Sequence, residues 1–253
     1  MNKKIKIQEI RERLKRGENS IGTWMQIPHS SIAEVLGRSG YDWVVIDLEH
    51  GSVSVHQLPD LFRALELGKT LPIARLAQAS AKDCKQALDA GAGGVIIPMV
   101  ESAEQLKAMR SACCWPPEGT RGVGFSRANL FGKNFDSYNE EAQNPIVVAQ
   151  IENIRAVENL PEILEVDGLD ATLIGPYDLS ASMGITAEFE HPDFIAAMDR
   201  IRTLSKKKNV PCGVHSVSPL REQLNQRIEE GYQFLAYSID AVLLGHIANN
   251  EKS

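Results

Sequence analysis

The 253-residue chain is as informative for what it lacks as for what it holds. No run approaches the roughly 20 apolar residues that cross a bilayer, so no membrane partner is expected. Basic residues are in deficit: 27 Lys and Arg against 33 Asp and Glu leave a net charge of −6, with no surplus to neutralise phosphates. Nucleic acid is therefore not an expected partner. Cysteine is sparse, at Cys84, Cys113, Cys114 and Cys212, without a Cys-x-x-Cys clip or a disulfide framework. The N-terminal Met-Asn-Lys-Lys-Ile-Lys-Ile has no apolar core and no small-residue cleavage site, so a secretory signal is not expected. Reduced thiols and no signal give a cytoplasmic expectation. A Cys/His set that would select zinc is missing. Lysine is absent from every apolar strand-like run, although the chain has thirteen. A Schiff-base amine would be desolvated in such a run, so carbonyl chemistry here is expected to use a metal and not an imine.

What is present is an ordinary globular composition, 43% apolar and 24% charged. Eight short, mostly continuous apolar runs recur: 21–27, 43–48, 71–76, 94–99, 146–151, 169–174, 210–214 and 233–237. Continuous runs of this length fit parallel strands buried on both faces. Helical patterns follow each of them, at 31–38, 55–67, 81–90, 103–112, 154–164, 192–207, 219–230 and 241–249. Gly40, Gly68, Gly91, Gly168 and Gly231 stand where those helices should stop. Eight strand–helix pairs predict an α/β protein with a (β/α)8 TIM barrel, one domain over residues 1–253. A doubly wound sheet would show a glycine-rich turn after its first strand, where Pro28-His29-Ser30-Ser31 stands instead. The Gly91-Ala92-Gly93-Gly94 segment leads into a strand and reads as a helix stop, not a phosphate loop. Residues 113–145 read as a long irregular loop.

Barrel chemistry sits at the C-terminal ends of the strands. Strand two ends in Asp47-Leu48-Glu49-His50-Gly51, strand three at Arg75, strand five in Gln150-Ile151-Glu152, and strand six in Gly175-Pro176-Tyr177-Asp178. Glu152 and Asp178 fall on adjacent strands. They can share a proton as an acid/base pair, hold a divalent cation, or simply cap the helices that follow. Oxygen-only ligands suit Mg2+ or Mn2+. An imidazole moves a proton near neutral pH, and Asp47, three residues before His50, can orient its ring. Arg75 can meet a carboxylate or a developing oxyanion, or form an internal salt bridge to Asp47 or Glu49.

Five ordered motifs, at 47–51, 91–100, 116–122, 150–152 and 175–184, resemble those of the HpcH/HpaI family of metal-dependent class II aldolases, such as 4-hydroxy-2-oxoheptanedioate aldolase. The resemblance spans residues 20–240. It implies a barrel that exchanges its C-terminal helix between subunits of a homo-oligomer, a trimer or hexamer. It implies Glu152 and Asp178 as ligands of a divalent metal, Mg2+ first, with Mn2+ or Co2+ as alternatives. His50 would be the base and Arg75 the stabiliser of an enolate. Asp89 would raise the basicity of the histidine, from the same or a neighbouring subunit. Gln150, Gly175, Pro176 and the backbone amide of Tyr177 would bind the 2-oxo acid. The implied reaction splits a 4-hydroxy-2-oxo acid into pyruvate and an aldehyde. Other enolate-forming reactions, on acyl-CoA esters or by decarboxylation, share such a scaffold. A non-catalytic sensor of oxo acids would not need a base.

Overall fold

The computed structural model describes residues 1–250. Eight parallel strands close in sequence order into a barrel: β1 (Ser20–Met25), β2 (Trp43–Asp47), β3 (Leu71–Arg75), β4 (Gly94–Ile97), β5 (Ile146–Ile151), β6 (Ala171–Ile174), β7 (Cys212–Ser216) and β8 (Phe234–Ile239). The eight expected runs are the eight strands, with ends shifted by one or two residues. β6 and β7 each start two residues later than expected. Asp170 is occupied by Arg11 and by the Val147 amide, and Pro211 has no N–H to donate.

Alternation inside the strands separates two apolar layers. Val45, Ile73, Ile96, Val148, Leu173 and Ala236 fill the barrel interior. Val44, Ile46, Ala74, Val95, Val147 and Leu235 face outward beneath the helices. Strands packed on both sides read as continuous apolar runs, which is why their sequence signal is so plain. At the base of the interior Trp43 stacks on Phe234, with centroids 4.3 Å apart and planes 7° apart, and its indole N–H donates to Ser20 Oγ. Gly22 faces this ring; a Cβ there would lie 2.1 Å from it, so the position cannot carry a side chain.

The outer helices are α2 (Ser30–Gly37), α3 (Leu58–Leu67), α4 (Ala81–Ala90), α5 (Ala103–Cys113), α7 (Ile154–Glu158), α8 (Leu160–Ile163), α10 (Pro192–Lys208) and α11 (Arg221–Glu229). The single helix expected at 154–164 is split in two, because Pro161 cannot donate into the preceding turn. Three further helices carry no counterpart in the sequence reading. α1 (Lys3–Lys15) places Ile7, Ile10 and Leu14 against the barrel interior and closes its N-terminal end. α9 (Pro176–Ser182) follows β6 directly. α6 (Phe135–Gln143) lies inside the stretch expected to be irregular. There Trp115, Tyr138 and Ala142 form a small core of their own, which orders the segment despite its polar composition.

The last helix, α12 (Asp240–Asn250), packs on its own barrel mainly against β1 and β8. Leu244 and Ile247 on it are 57% and 62% exposed. Asp240 at its start accepts the amides of Gln26 and Ile27, both at 2.9 Å, and so ties β8 to the end of β1.

Replacing Trp43 with Ala would empty a stacked and hydrogen-bonded position at the barrel's base. Truncations of this kind cost about 3–5 kcal/mol, which denaturant unfolding of Trp43→Ala measures.

Candidate active site

The strand ends converge on the C-terminal mouth, and the register of the sheet sets which groups meet. Asp47 and Arg75 are register partners on β2 and β3. Arg75 donates from Nε to Asp47 Oδ1 at 2.9 Å and from Nη2 to Asp47 Oδ2 at 2.7 Å. Its Nη1 lies 3.0 Å from Glu49 Oε2. The internal salt bridge open in the sequence is therefore present, with both candidate acids. A guanidinium has five N–H donors; two of these bond Asp47, while the Glu49 contact is an ion pair without a hydrogen bond, so three remain for another group. The Arg75 guanidinium carbon also sits 5.3 Å from the Trp24 ring centroid.

Asp47 is fully buried. Burial alone would raise its carboxyl, but Arg75, with Gln26 and the His50 amide, holds it down at about 2. Gln26 Nε2 donates to Asp47 Oδ2 at 2.8 Å. The amides of Glu49 and His50 donate to Asp47 Oδ1 at 3.0 and 3.2 Å. Asp47 thus shapes the turn that carries His50 and does not hold the imidazole itself, which corrects the expectation drawn from the three-residue spacing. The backbone amide comes round to the carboxylate, whereas the His50 side chain stands exposed at the rim.

Across the mouth, Glu152 just beyond β5 is 2% exposed. Its Oε1 accepts the Met99 amide at 2.7 Å, and its Oε2 accepts Gln150 Nε2 at 2.6 Å. Burial pushes its carboxyl up to about 7; the Met99 amide and Arg75 oppose this, and the charges of Glu49 and Asp178 add to it. Glu49 is itself raised by burial, with Arg75 and His50 opposing and Asp47 and Asp178 reinforcing. Three carboxylates thus crowd one side of the mouth. Gln150 Oε1 is buried beside them without a hydrogen-bond partner among the described residues. Gly175 allows this approach: a Cβ there would lie 3.0 Å from Glu152 Oε2 and 3.2 Å from Gln150 Nε2.

Asp178 lies in the first turn of α9, whose N-cap is Gly175. It is not the capping residue, so the helix-cap reading of Asp178 does not hold. Pro176 has no N–H, which makes the Tyr177 amide the first donor of α9, one that no intrahelical bond can satisfy. The Tyr177 ring is half-exposed and packs edge-on against Phe189 at 5.0 Å. Asp89 stands apart from this group within one chain. It lies near the end of α4, where burial raises its carboxyl and Arg121 and Lys85 oppose that rise, and it makes no bond to His50.

The residues present suit a divalent cation. Like-charged carboxylates, one of them buried deeply enough to be raised to about 7, gain most from a bound positive charge. No group of three or more His, Cys, Asp or Glu side chains forms a complete metal cage among the described residues. Two carboxylates with water and substrate oxygens filling the remaining positions is the Mg2+ pattern.

Sequence reasoning missed Trp24, Gln26 and Asp240 and passed over His215 as a less charged strand end, yet all four belong to this end of the barrel. Trp24 and Gln26 stand two apart at the end of β1, a period-2 signal that an uncharged pair does not advertise.

Residues 20–246 match the HpcH/HpaI aldolase/citrate lyase family. The hydroxypyruvate/pyruvate aldolase of Roseobacter denitrificans is 36% identical over 241 residues, 94% of this chain and 93% of that protein. A 2-keto-3-deoxy-L-rhamnonate aldolase of Escherichia coli is 36% identical over 241 residues, 92% of this chain and 88% of that protein. Among solved structures, an HpcH/HpaI aldolase/citrate lyase family protein from Burkholderia cenocepacia superposes with a TM-score of 0.91 at 29% identity, covering 96% of this chain and 97% of that one. With a barrel, a carboxylate-lined mouth and a match along nearly its whole length, the chain belongs to the HpcH/HpaI aldolase/citrate lyase family.

Proposed function

We propose that this protein is a metal-dependent aldolase that reversibly cleaves a 4-hydroxy-2-oxo acid into pyruvate and an aldehyde. The observation that carries the reading is buried Glu152, raised by its burial and by the charges of Glu49 and Asp178, in a mouth that also holds the tethered Arg75, in a chain so similar to a hydroxypyruvate/pyruvate aldolase. Glu152 and Asp178 would hold the cation, Mg2+ first and Mn2+ or Co2+ as alternatives. A bound cation supplies Lewis-acid polarisation of the keto group.

The chain's own residues divide the remaining work. Gln150 and Gly175 shape the floor on which the 2-oxo acid rests, Pro176 opens α9, and the Tyr177 amide offers its N–H to the carboxylate. Arg75 keeps three donors free of hydrogen bonds and would offer them to the oxygen where enolate charge develops. Asp47 is the positioning residue for that guanidinium, fixing its plane through two hydrogen bonds. His50, at the rim, takes the proton of the 4-hydroxyl as the C3–C4 bond breaks. The electron pair of that bond passes to the pyruvate enolate and the aldehyde departs. In the synthetic direction the same imidazole returns the proton to the new alkoxide.

Reactions on acyl-CoA esters need cationic groups for the CoA phosphates. Arg121 is 3% exposed and bonds Tyr138, while Arg127 is tied to Glu66 and the Ala90 carbonyl, so neither offers itself. The exposed Leu244 and Ile247 of α12 favour a homo-oligomer, a trimer or hexamer in which this helix packs on a neighbouring subunit. Asp89, displaced from its own His50, would then serve a neighbour's. Four free, buried cysteines favour the cytoplasm as the location.

Exhaustive treatment with EDTA is expected to abolish both aldol cleavage and exchange of pyruvate methyl protons, with recovery on adding Mg2+ or Mn2+. Full activity in metal-stripped protein would overturn the reading. Substituting His50→Ala is expected to lower kcat about 100-fold or more, in line with general acid–base contributions. Metal-free protein should also lose stability as pH rises from about 4.5 to about 7, because folded Glu152 keeps a proton that the unfolded chain releases. Thermal melts across that window should show a flatter dependence in Glu152→Gln.

A further inference from the structure

His215 is a polar residue on the inner face of β7, in register with Ala236 of the barrel interior. Its ring stacks on the Trp24 indole, with centroids 4.5 Å apart and planes 22° apart. Trp24 in turn carries the Arg75 guanidinium over its ring. These three side chains form one wall of the mouth. Since β1 stands across an eight-stranded barrel from β5, that wall lies opposite the Gln150–Glu152 corner.

The ring has a defined protonation pattern. Its Nε2 lies 3.2 Å from the Ser238 carbonyl oxygen. A carbonyl only accepts, so Nε2 carries a proton and donates it. Burial and the charge of Arg75 lower the imidazole to about 4, against the Ser238 bond, which raises it. A neutral ring protonated at Nε2 leaves a lone pair on Nδ1. No hydrogen bond to Nδ1 is formed among the described residues, and the ring is only partly covered. His215 also borders a cavity of about 810 Å3 that runs from Pro176 and Tyr177 outward between α10 and α11, past Met198 and Gln226, and that does not take in Trp24, Arg75 or Glu152.

The mouth therefore presents an acceptor that pairs with no donor among the described residues. In the aldolase reading the 2-oxo acid rests at the β5–β6 corner and its 4-hydroxyl meets His50, so the remaining carbons of the aldehyde would run along this wall. A hydroxyl there would satisfy Nδ1, whereas a methyl group would leave it unpaired and desolvated. The neutral imidazole has no charge to offer a carboxylate or phosphate.

We propose that His215 is a specificity-determining residue: its Nδ1 accepts a hydrogen bond from a hydroxyl of the aldehyde, and the site selects hydroxylated aldehydes over plain aliphatic ones. This rests on the aldolase reading above.

The test compares glycolaldehyde with propionaldehyde, which exchange a hydroxyl for a methyl, each added to pyruvate with Mg2+ present. The kcat/KM ratio is measured for the wild type and for His215→Phe, which keeps a ring on Trp24 without an acceptor. His215→Leu is a second acceptor-free variant should the first not fold, and His215→Gln restores an acceptor. Thermal melts establish folding. The ratio is expected to fall about tenfold or more in the acceptor-free variants, with part of it regained in His215→Gln. An unchanged ratio, or an equal loss on both aldehydes, overturns the assignment of His215 while leaving the aldolase reading intact. Wild type forming no adduct with either aldehyde, or with any of a wider panel, overturns the aldolase reading and this one with it.

Discussion

The buried pair of Asp47 and Arg75 is the interaction on which the mouth of this barrel depends. A guanidinium that is nearly enclosed and a carboxylate that is wholly enclosed are tolerable only as partners, because either one left alone would be an uncompensated buried charge. The pair is made by sheet register, which places the last residue of β2 beside the last residue of β3. From that contact the rest follows outward. Asp47 gathers Gln26 and the turn amides of Glu49 and His50, and Arg75 gathers Glu49 and the Trp24 face. One ion pair thereby fixes the ends of three strands and the turn that presents His50.

Against this satisfied, cationic side stands an unsatisfied, anionic one. Glu152 is held by an amide and by Gln150, yet those contacts do not offset its burial beside Glu49 and Asp178. The contrast with Asp47 is instructive, since both carboxylates are buried and their pKa values move in opposite directions. Asp47 has a guanidinium in bidentate contact, while Glu152 has only more distant help from Arg75 and two like charges nearby. A polarity of this kind, with fixed positive charge on one wall and carboxylates in need of a cation on the other, suits a reaction in which charge develops between them.

Much of the architecture was legible in the residues. Eight apolar runs separated by helical patterns foretold the barrel, because a strand buried on both faces has no polar positions to confuse the reading. The ionisable residues closing strands two, three, five and six marked the mouth for the same reason: a charge at the end of an apolar run has few uses other than chemistry or pairing. Less legible were α1, α6 and α9. The first two are amphipathic or polar and gain their order from what they pack against, and the third is two turns long. Trp24 and Gln26 escaped notice, and His215 was passed over as a less charged strand end, because their importance lies in which neighbours the closed barrel brings to them.

The sequence by itself determined the strand count, the order of the polar residues and the family, since all three are patterns along one chain. Only the tertiary structure decided how the polar groups are paired. Whether Arg75 met Asp47 or Glu49, whether Asp47 held a ring or a turn, and whether Asp178 capped a helix all depended on register and on the closure of β8 against β1. Those distances are set by hydrogen bonds between strands remote in sequence, and a charge finds its partner by distance in space and not by spacing along the chain.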